Sequence, residues 1–471
     1  MKKTEESLYF NIYQKITSDI RSKWLPADTK LQSVRKAAAF YNVSCNTIQN
    51  AYNQLLDEGY IYSKEKKGYF VCDFQTDVVE NLQSSKSTQK ISSDVSNTQL
   101  PKEEINLEAN ITDTSFFPYA TLRQLYREVL SQKNNEILER SGDFQGEEKL
   151  RTAICQYLYS HRSVNCNPSQ IVVGGGTSDL LQLLIRLFTL KEQLQNPSGS
   201  FITPVFFLEK PGFTTIKKII EDTGCKTIDV PVTEDGADIN SIISQSQKLE
   251  NQTCLLHLTP AHQFPTGITM TAPRKNLILK WAQEKENRYI IEDDYDSDFR
   301  YKGVPIPSMQ GFDTKNKVIY MGTFSRTLTP ALRISYIVLP QPLIELYKSN
   351  YSYYKCPVPR IEQQVLADFI QGGYFERHIN RAKKIYRSRR DLILEHLYRE
   401  FPQVEVQGEQ AGLHFIIRIP NVSEDQFIQF AKKNNIHIKG TGTGWLIIGY
   451  GHLQPAEIDT IFTKINSKNL K

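Results

Sequence analysis

Gln170-Ile171-Val172-Val173-Gly174-Gly175-Gly176-Thr177-Ser178-Asp179-Leu180-Leu181 carries an apolar strand candidate straight through three glycines into a helix candidate. Glycines let a backbone approach an anion closely, and the unpaired N–H groups of a helix's first turn bind phosphate. A glycine run alone is weak evidence, so its surroundings decide the reading. Downstream, Tyr289–Ile291, Val318–Met321 and Ile334–Leu339 read as further strands, and Asp179–Leu190 and Arg274–Glu284 as helices. Strands alternating with helices from about residue 107 onward predict a mainly parallel sheet. A long helical region, about Arg360 to Glu400, leads to a smaller C-terminal α+β unit with strands at Gly412–Ile419 and Trp445–Ile448.

The first 77 residues follow a different pattern. Tyr9, Ile12, Ile16 and Ile20 recur at helical spacing. Ser33 precedes a short helix from Val34 to about Phe40, and Asn42-Val43 form a turn. Ser44 is a good N-cap for a second helix with the apolar face Ile48, Ala51, Tyr52, Leu55 and Leu56, closed by Gly59. Two short strands, Ile61–Ser63 and Tyr69–Cys72, flank the turn Lys64-Glu65-Lys66-Lys67-Gly68. Helix, turn, helix, hairpin is the order of a winged helix-turn-helix. Residues 78–106 are polar and serine-rich, too poor in apolar side chains to bury a core, and read as a flexible linker. The larger domain is then 107–471.

Ser33-Val34-Arg35, Asn42-Val43-Ser44-Cys45-Asn46-Thr47-Ile48-Gln49-Asn50-Ala51-Tyr52 and Leu56-Asp57-Glu58-Gly59 together resemble the GntR family of bacterial repressors. The resemblance implies that the helix beginning near Ser44 enters the major groove of double-stranded DNA. Ser44, Asn46 and Thr47 are then candidates for phosphates, Gln49 for an adenine, and Arg35 for a phosphate or guanine. Ser33 belongs to the same face, with Lys66, Lys67 and Gly68 at the wing. Gln32 stands where a proline is common and Cys45 where an arginine often meets DNA, which makes dimerisation more important for affinity.

The larger domain resembles fold-type-I aminotransferases, which bind pyridoxal phosphate (PLP). The matching runs, in order, are Asp143-Phe144-Gln145-Gly146 with Leu150-Arg151, the glycine run, Glu209-Lys210-Pro211-Gly212-Phe213, Thr259-Pro260-Ala261-His262-Gln263-Phe264-Pro265-Thr266-Gly267, Ile291–Tyr301 and Met321–Arg333. The resemblance implies roles. Gly176, Thr177 and Ser178 would meet the phosphate with Thr323, Ser325 and Arg333. Phe213 would stack on the pyridine face and Tyr295 would reach the ring hydroxyl. Asp293, with Asp294 as the second choice, would hold the pyridine nitrogen protonated. His262 is a candidate ligand contact, and so is His414, although packed histidines are the commoner reading of both.

The departures are as informative. Arg326 follows Thr323-Phe324-Ser325 where the family places its Schiff-base lysine. Lysine can lose a proton and attack the aldehyde; arginine stays charged and cannot. No catalytic residue is therefore assigned. Ile447 falls near the place of an arginine that takes the substrate carboxylate. Both halves together resemble the MocR subfamily of GntR regulators, which implies a homodimer, PLP as cofactor and a small-molecule effector. The expectation is a DNA-binding transcriptional regulator whose aminotransferase-like domain senses PLP noncovalently, or another anionic or amino compound, or binds no cofactor at all. The alternatives are a transaminase with an attached DNA-binding module using another lysine such as Lys302, an engineered lysine-to-arginine variant of a PLP-binding regulator, and a DNA-binding scaffold without a ligand.

Composition is compatible with this reading but does not single it out. A chain of 471 residues with 39% hydrophobic and 23% charged content is expected to fold as two or three soluble domains. The net charge of +5 permits nucleic-acid binding without implying it, and residues 1–77 carry only eleven basic against nine acidic side chains. Seven cysteines without a CxxC pair suit free thiols in a reducing cytoplasm and argue against a metal site. The polar first twenty residues and the absence of an 18-residue apolar run predict neither a signal peptide nor a membrane span.

Overall fold

The computed structural model describes residues 2–22, 24–64, 67–72, 105–109, 111–131, 139–195, 203–249, 252–301 and 306–466. The chain divides into two compact units, Met1–Gln99 and Leu100–Lys471. Lys66, Lys302 and nearly all of the predicted linker lie outside the described residues.

In the first unit, α1 (Lys2–Arg21), α2 (Val34–Tyr41) and α3 (Cys45–Asp57) precede the antiparallel pair β1 (Ile61–Lys64) and β2 (Gly68–Val71). Ser33 and Ser44 cap their helices by accepting hydrogen bonds from the Lys36 and Thr47 amides. Asn42 takes the left-handed conformation (φ 53°) that ends α2, and Gly59 (φ 73°) turns the chain after α3. One core joins Ile12, Ile16 and Ile20 of α1 to Ile48, Ala51, Tyr52 and Leu55 of α3, with Ile61 and Val71 beneath. The Tyr52 hydroxyl donates to the Gln32 carbonyl at 3.0 Å, tying α3 to the segment that enters α2.

The larger unit begins earlier than expected. β3 (Ile105–Asn106) lies within the stretch read as linker, yet it pairs in parallel with Ile436–His437. Ile105 packs against the main core, so these two residues belong to the folded unit despite their polar neighbours. The main sheet contains β4 (Ile171–Gly174), β5 (Val205–Lys210), β6 (Lys226–Thr233), β7 (Gly236–Ala237), β8 (Cys254–Leu258), β9 (Arg288–Asp294), β10 (Val318–Thr323) and β11 (Ser335–Val338). Their order is β4-β11-β10-β9-β8-β5-β6-β7. β5, β6, β8, β9 and β10 pair in parallel, β4 runs with them, and β11 and the two-residue β7 run against.

Alternation sends Phe206, Leu255, Ile291 and Ile319 to one face, against Leu184 and Phe188 of the helix Thr177–Gln195. Phe207, Leu256, Ile290 and Val318 go to the other, against Ile278 and Trp281 of the helix Ala272–Gln283. Both faces are covered, as a mainly parallel sheet requires, which is why these strands read as unbroken apolar runs. The helical region from Arg360 is two helices, Arg360–Gln371 and Tyr374–Glu400, because Gly372-Gly373 interrupt it and Gly373 adopts φ 68°. The C-terminal unit carries a four-stranded antiparallel sheet that includes β13 (His414–Arg418) and β16 (Leu446–Gly449) among its strands.

Candidate functional site

The parallel strands all end at one edge of the sheet, and there Gly174, Lys210, Leu258, Asp294 and Thr323 lead into loops. In such sheets ligands bind outside the carboxyl ends of the strands. At Gly174 the chain passes through Gly175 and Gly176 into the helix Thr177–Gln195. Gly176 has φ 124°, and a Cβ there would lie 2.5 Å from Arg333 Nη2. The glycine thus makes room for the guanidinium beside the first helical amides. Arg333 is itself exposed and held left-handed (φ 51°) at the end of the short turn Pro330–Leu332.

The Ser325 hydroxyl is buried and has no hydrogen-bond partner among the described residues. Buried hydroxyls are normally paired, so this one marks a place for a ligand oxygen. Thr323 holds it there: its Oγ1 accepts from the Ser325 amide at 3.1 Å and from the Ser335 hydroxyl at 2.8 Å. Thr323 therefore braces the loop as an acceptor, and neither bond uses its own hydroxyl proton. A glycine cradle, a helix N-terminus, a guanidinium and an orphaned hydroxyl together fit a phosphate dianion.

Asp293 and Asp294 follow one another on β9 and so point to opposite faces. Asp294 accepts from Arg162 Nε at 2.6 Å and from the Tyr320 hydroxyl. Burial pushes its carboxyl up, but Arg162 and these hydrogen bonds outweigh that and hold it below the usual range. It is occupied in the core. Asp293 meets His257 Nε2 at 3.2 Å from the neighbouring strand β8, which favours Asp293 over Asp294 for a ligand nitrogen. Sequence reading missed His257. Its one signal was a lone histidine in the otherwise apolar strand Cys254-Leu255-Leu256-His257-Leu258.

His262 is buried with Nδ1 2.9 Å from Asp296 Oδ2 and 3.1 Å from the Tyr295 hydroxyl. Burial opposes its charge, but Asp296 prevails and raises its pKa above 6.5. His414 is pushed well below 6.5 by burial, then by His262 and Arg326; its Nε2 faces the Pro265 carbonyl at 3.1 Å. Asp296, also missed, and the two histidines have donor atoms within 4.8 Å of one another, but no ion is needed to explain them, since Asp296 serves His262 and Pro265 serves His414. Phe213 stacks on Phe264 (ring centroids 4.2 Å apart, planes at 3°) and meets Tyr295 edge-on at 5.2 Å. One face of Phe213 is thus already covered, and a pyridine would use the other.

Arg326 reaches into this group. Its guanidinium lies 6.0 Å from the Tyr295 ring centroid, and Nη1 donates to the Ala109 carbonyl at 3.4 Å. Burial lowers its pKa, opposed by Asp296, Tyr295 and Asp293, which are therefore its electrostatic neighbours. Ile447 packs with Ala109 and Ile416, with Phe264 and Trp445 alongside: an apolar wall. A cleft of about 290 Å³ shares Phe213, Phe264 and His257 with the site, with Lys210 and Lys217 at its edge; Asp293, Ser325 and Arg333 do not line it.

In the smaller unit Arg35, Ser44, Asn46, Lys67 and Gly68 are exposed, as is Ser33, and each serine oxygen also caps a helix. Thr47 is buried, with its hydroxyl 2.8 Å from that of Ser44. Position 47 lies on the core side of α3, set back from the exposed Ser44 and Asn46. Gln49 donates to Asn53 Oδ1 at 3.0 Å and to the Tyr69 hydroxyl at 3.1 Å, so its amide would have to let go of these to read a base.

Comparison with known proteins agrees with both halves. The family model "Aminotransferase class I and II" matches residues 102–465, and "Bacterial regulatory proteins, gntR family" matches residues 8–71. An uncharacterized HTH-type transcriptional regulator of Bacillus subtilis (strain 168), YdeL, is 37% identical over 92% of this chain and 88% of its own length. The probable rhizopine catabolism regulatory protein MocR of Rhizobium meliloti is 29% identical over 89% of this chain and 83% of its own. In structure, the larger unit resembles the kynurenine aminotransferase of Pyrococcus horikoshii, with a TM-score of 0.66 at 20% identity over 83% of this chain and 97% of that one. The chain belongs to the HTH-type transcriptional regulators of the MocR kind, in which a GntR DNA-binding domain precedes an aminotransferase class I and II domain.

Proposed function

We propose that this regulator uses its aminotransferase-like domain as a noncovalent sensor for PLP or a similarly anionic phosphate ester, without transamination. One pairing of features supports the reading: Arg326 follows Thr323-Phe324-Ser325, where the aminotransferase resemblance puts the lysine, and Gly176, Ser325 and Arg333 offer groups suited to a phosphate. PLP would supply an electrophilic aldehyde on an electron-withdrawing ring. Arg326 offers that aldehyde no nucleophile and no base. The remaining residues are suited to holding: the cradle binds phosphate, Asp293 pairs with a pyridinium, and Phe213 with Tyr295 encloses the ring.

The DNA half acts as a homodimer on paired half-sites, with α3 in the major groove and the wing near the backbone. Arg35, Asn46 and Lys67 supply exposed contacts, and Lys66, outside the described residues, is assigned to the wing with Lys67. Ligand binding shifts the dimer between states of different DNA affinity, which requires that the ligand prefer one state.

Titration with PLP, followed by borohydride reduction and peptide mapping, tests the sensor. Saturable binding that needs the phosphate and leaves no reducible adduct is expected. A stable adduct on a specific lysine would refute it and restore the enzyme reading. For the DNA half, the dimer should shift DNA from its own promoter region, and failure to shift any upstream DNA would count against it.

A further inference from the structure

The cradle explains how the site holds a phosphate, and Asp293 how it holds a ring nitrogen. Arg326 concerns a third part of the ligand. Its guanidinium is brought among groups from separate elements: Tyr295 and Asp296 after β9, Asp293 at the end of β9, His414 on β13, and the Ala109 carbonyl from the segment after β3. Residue 326 is one step beyond the orphaned Ser325 hydroxyl. A ring whose phosphate sits on Ser325 and whose nitrogen sits on Asp293 therefore presents its remaining substituents toward Arg326.

The charges around that spot are unevenly available. Both oxygens of Asp296 face His262 Nδ1, at 3.1 and 2.9 Å, and Asp293 faces His257. The apolar cluster of Ile447, Ile416 and Ala109, whose Ala109 carbonyl accepts from Arg326, brings no charge. A guanidinium is a fixed cation whose planar fork of N–H donors matches a carboxylate or a carbonyl oxygen. It has nothing to give an ammonium except repulsion, which a partly buried site screens poorly.

Resting on the PLP-sensor reading, we propose that Arg326 is the specificity-determining residue of this pocket. It selects phosphorylated pyridines that carry an oxygen function at carbon 4, as aldehyde, aldehyde hydrate or carboxylate, and rejects the aminomethyl form. The lysine-to-arginine change then replaces covalent capture of an aldehyde by recognition of its oxygen. It lets the domain distinguish the aldehyde and acid states of the cofactor pool from the amine state.

Equilibrium dialysis of the full-length protein against pyridoxal 5′-phosphate, 4-pyridoxic acid 5′-phosphate and pyridoxamine 5′-phosphate tests this, with inorganic phosphate as a control for the cradle alone. The aldehyde and acid should bind at least about tenfold more tightly than the amine, a modest demand for one like-charge contact at low dielectric. In Arg326→Gln, which keeps a polar N–H donor but removes the charge and shortens the side chain, that gap should close to within about threefold while phosphate-ester binding persists. Arg326→Met guards against a folding artefact, and thermal unfolding of both ligand-free variants should match that of the parent. Equal binding of amine and aldehyde by the parent, or an unchanged gap in both variants, overturns the proposal and leaves the sensor reading standing. Binding of none of the three phosphopyridines overturns both.

Discussion

Gly176→Ala is the perturbation that most directly tests the cradle. The new Cβ would stand 2.5 Å from Arg333 Nη2, at a backbone φ of 124° that alanine rarely adopts. The backbone strain costs about 1–3 kcal/mol of folding stability. The clash itself is cheap, because the atom met is the far end of a flexible, exposed side chain. Its consequence is that the guanidinium leaves the helix N-terminus. A charge-assisted contact to phosphate is worth about 1.5–3 kcal/mol, and exposure of Arg333 argues for the lower end. Affinity for PLP should then fall roughly tenfold or somewhat more. The assay is a double-mutant cycle, with PLP dissociation constants for the parent, Gly176→Ala, Arg333→Ala and the double variant, and urea unfolding of each to separate stability from binding. If the glycine acts by making room for the arginine, the double variant should bind like Arg333→Ala to within about 0.5 kcal/mol. Losses that simply add, or a Gly176→Ala protein with parental affinity, would refute the link between them.

Other outcomes are tied to particular contacts. Arg162→Met strands the buried Asp294 carboxylate and should cost about 3–5 kcal/mol in chemical unfolding at neutral pH. Because the folded Asp294 pKa is depressed, its contribution is present above the unfolded value of about 3.9 and is lost as pH falls through the folded one, so Asp294→Asn should flatten the acid limb of stability against pH. His262 carries the opposite sign. Its folded pKa is raised, so its contact with Asp296 stabilises fully below about pH 6.5 and fades as pH rises through the folded value, a dependence that Asp296→Asn should abolish in unfolding curves taken from pH 5 to 9. On the DNA side, Lys67→Ala should lower the slope of log affinity against log salt by about one. Thr47→Val should instead cost about 1 kcal/mol of unfolding free energy and leave that slope unchanged.

The sheet was legible because covered parallel strands leave unbroken apolar runs, and the glycine turn because Gly176 holds a φ of 124° that side-chain-bearing residues rarely adopt. The helix-turn-helix was legible from Ser33 and Ser44, whose capping role follows from residue type and position. What escaped was whatever depends on partners distant in sequence. Ile105–Asn106 read as linker because their pairing partner is Ile436–His437, over 300 residues away. Thr47 read as a phosphate ligand because its neighbours on α3 are exposed, whereas helical phase turns it inward. The resemblance already preferred Asp293 to Asp294, but the physical reason, Arg162 on Asp294 from 132 residues earlier, depends on the fold.

Taken as the counterpart of a Schiff-base lysine, Arg326 also constrains how the protein can signal. A covalent link would hold the cofactor through most fluctuations in its concentration. A noncovalent site releases it, and so reports that concentration. A ligand shifts a two-state protein only by the difference between its affinities for the two states. Arg326 donates to Ala109, in the segment after β3, and stands by Tyr295 at the end of β9. A ligand oxygen at this guanidinium would therefore engage a residue that already joins the ligand pocket to the start of the folded domain. The arginine is then placed to turn occupancy into a change where this domain meets the chain that leads back to the DNA-binding unit. If so, Arg326→Gln should uncouple the two functions: it should retain DNA binding and phosphate-ester binding, yet lose the ligand's effect on DNA affinity.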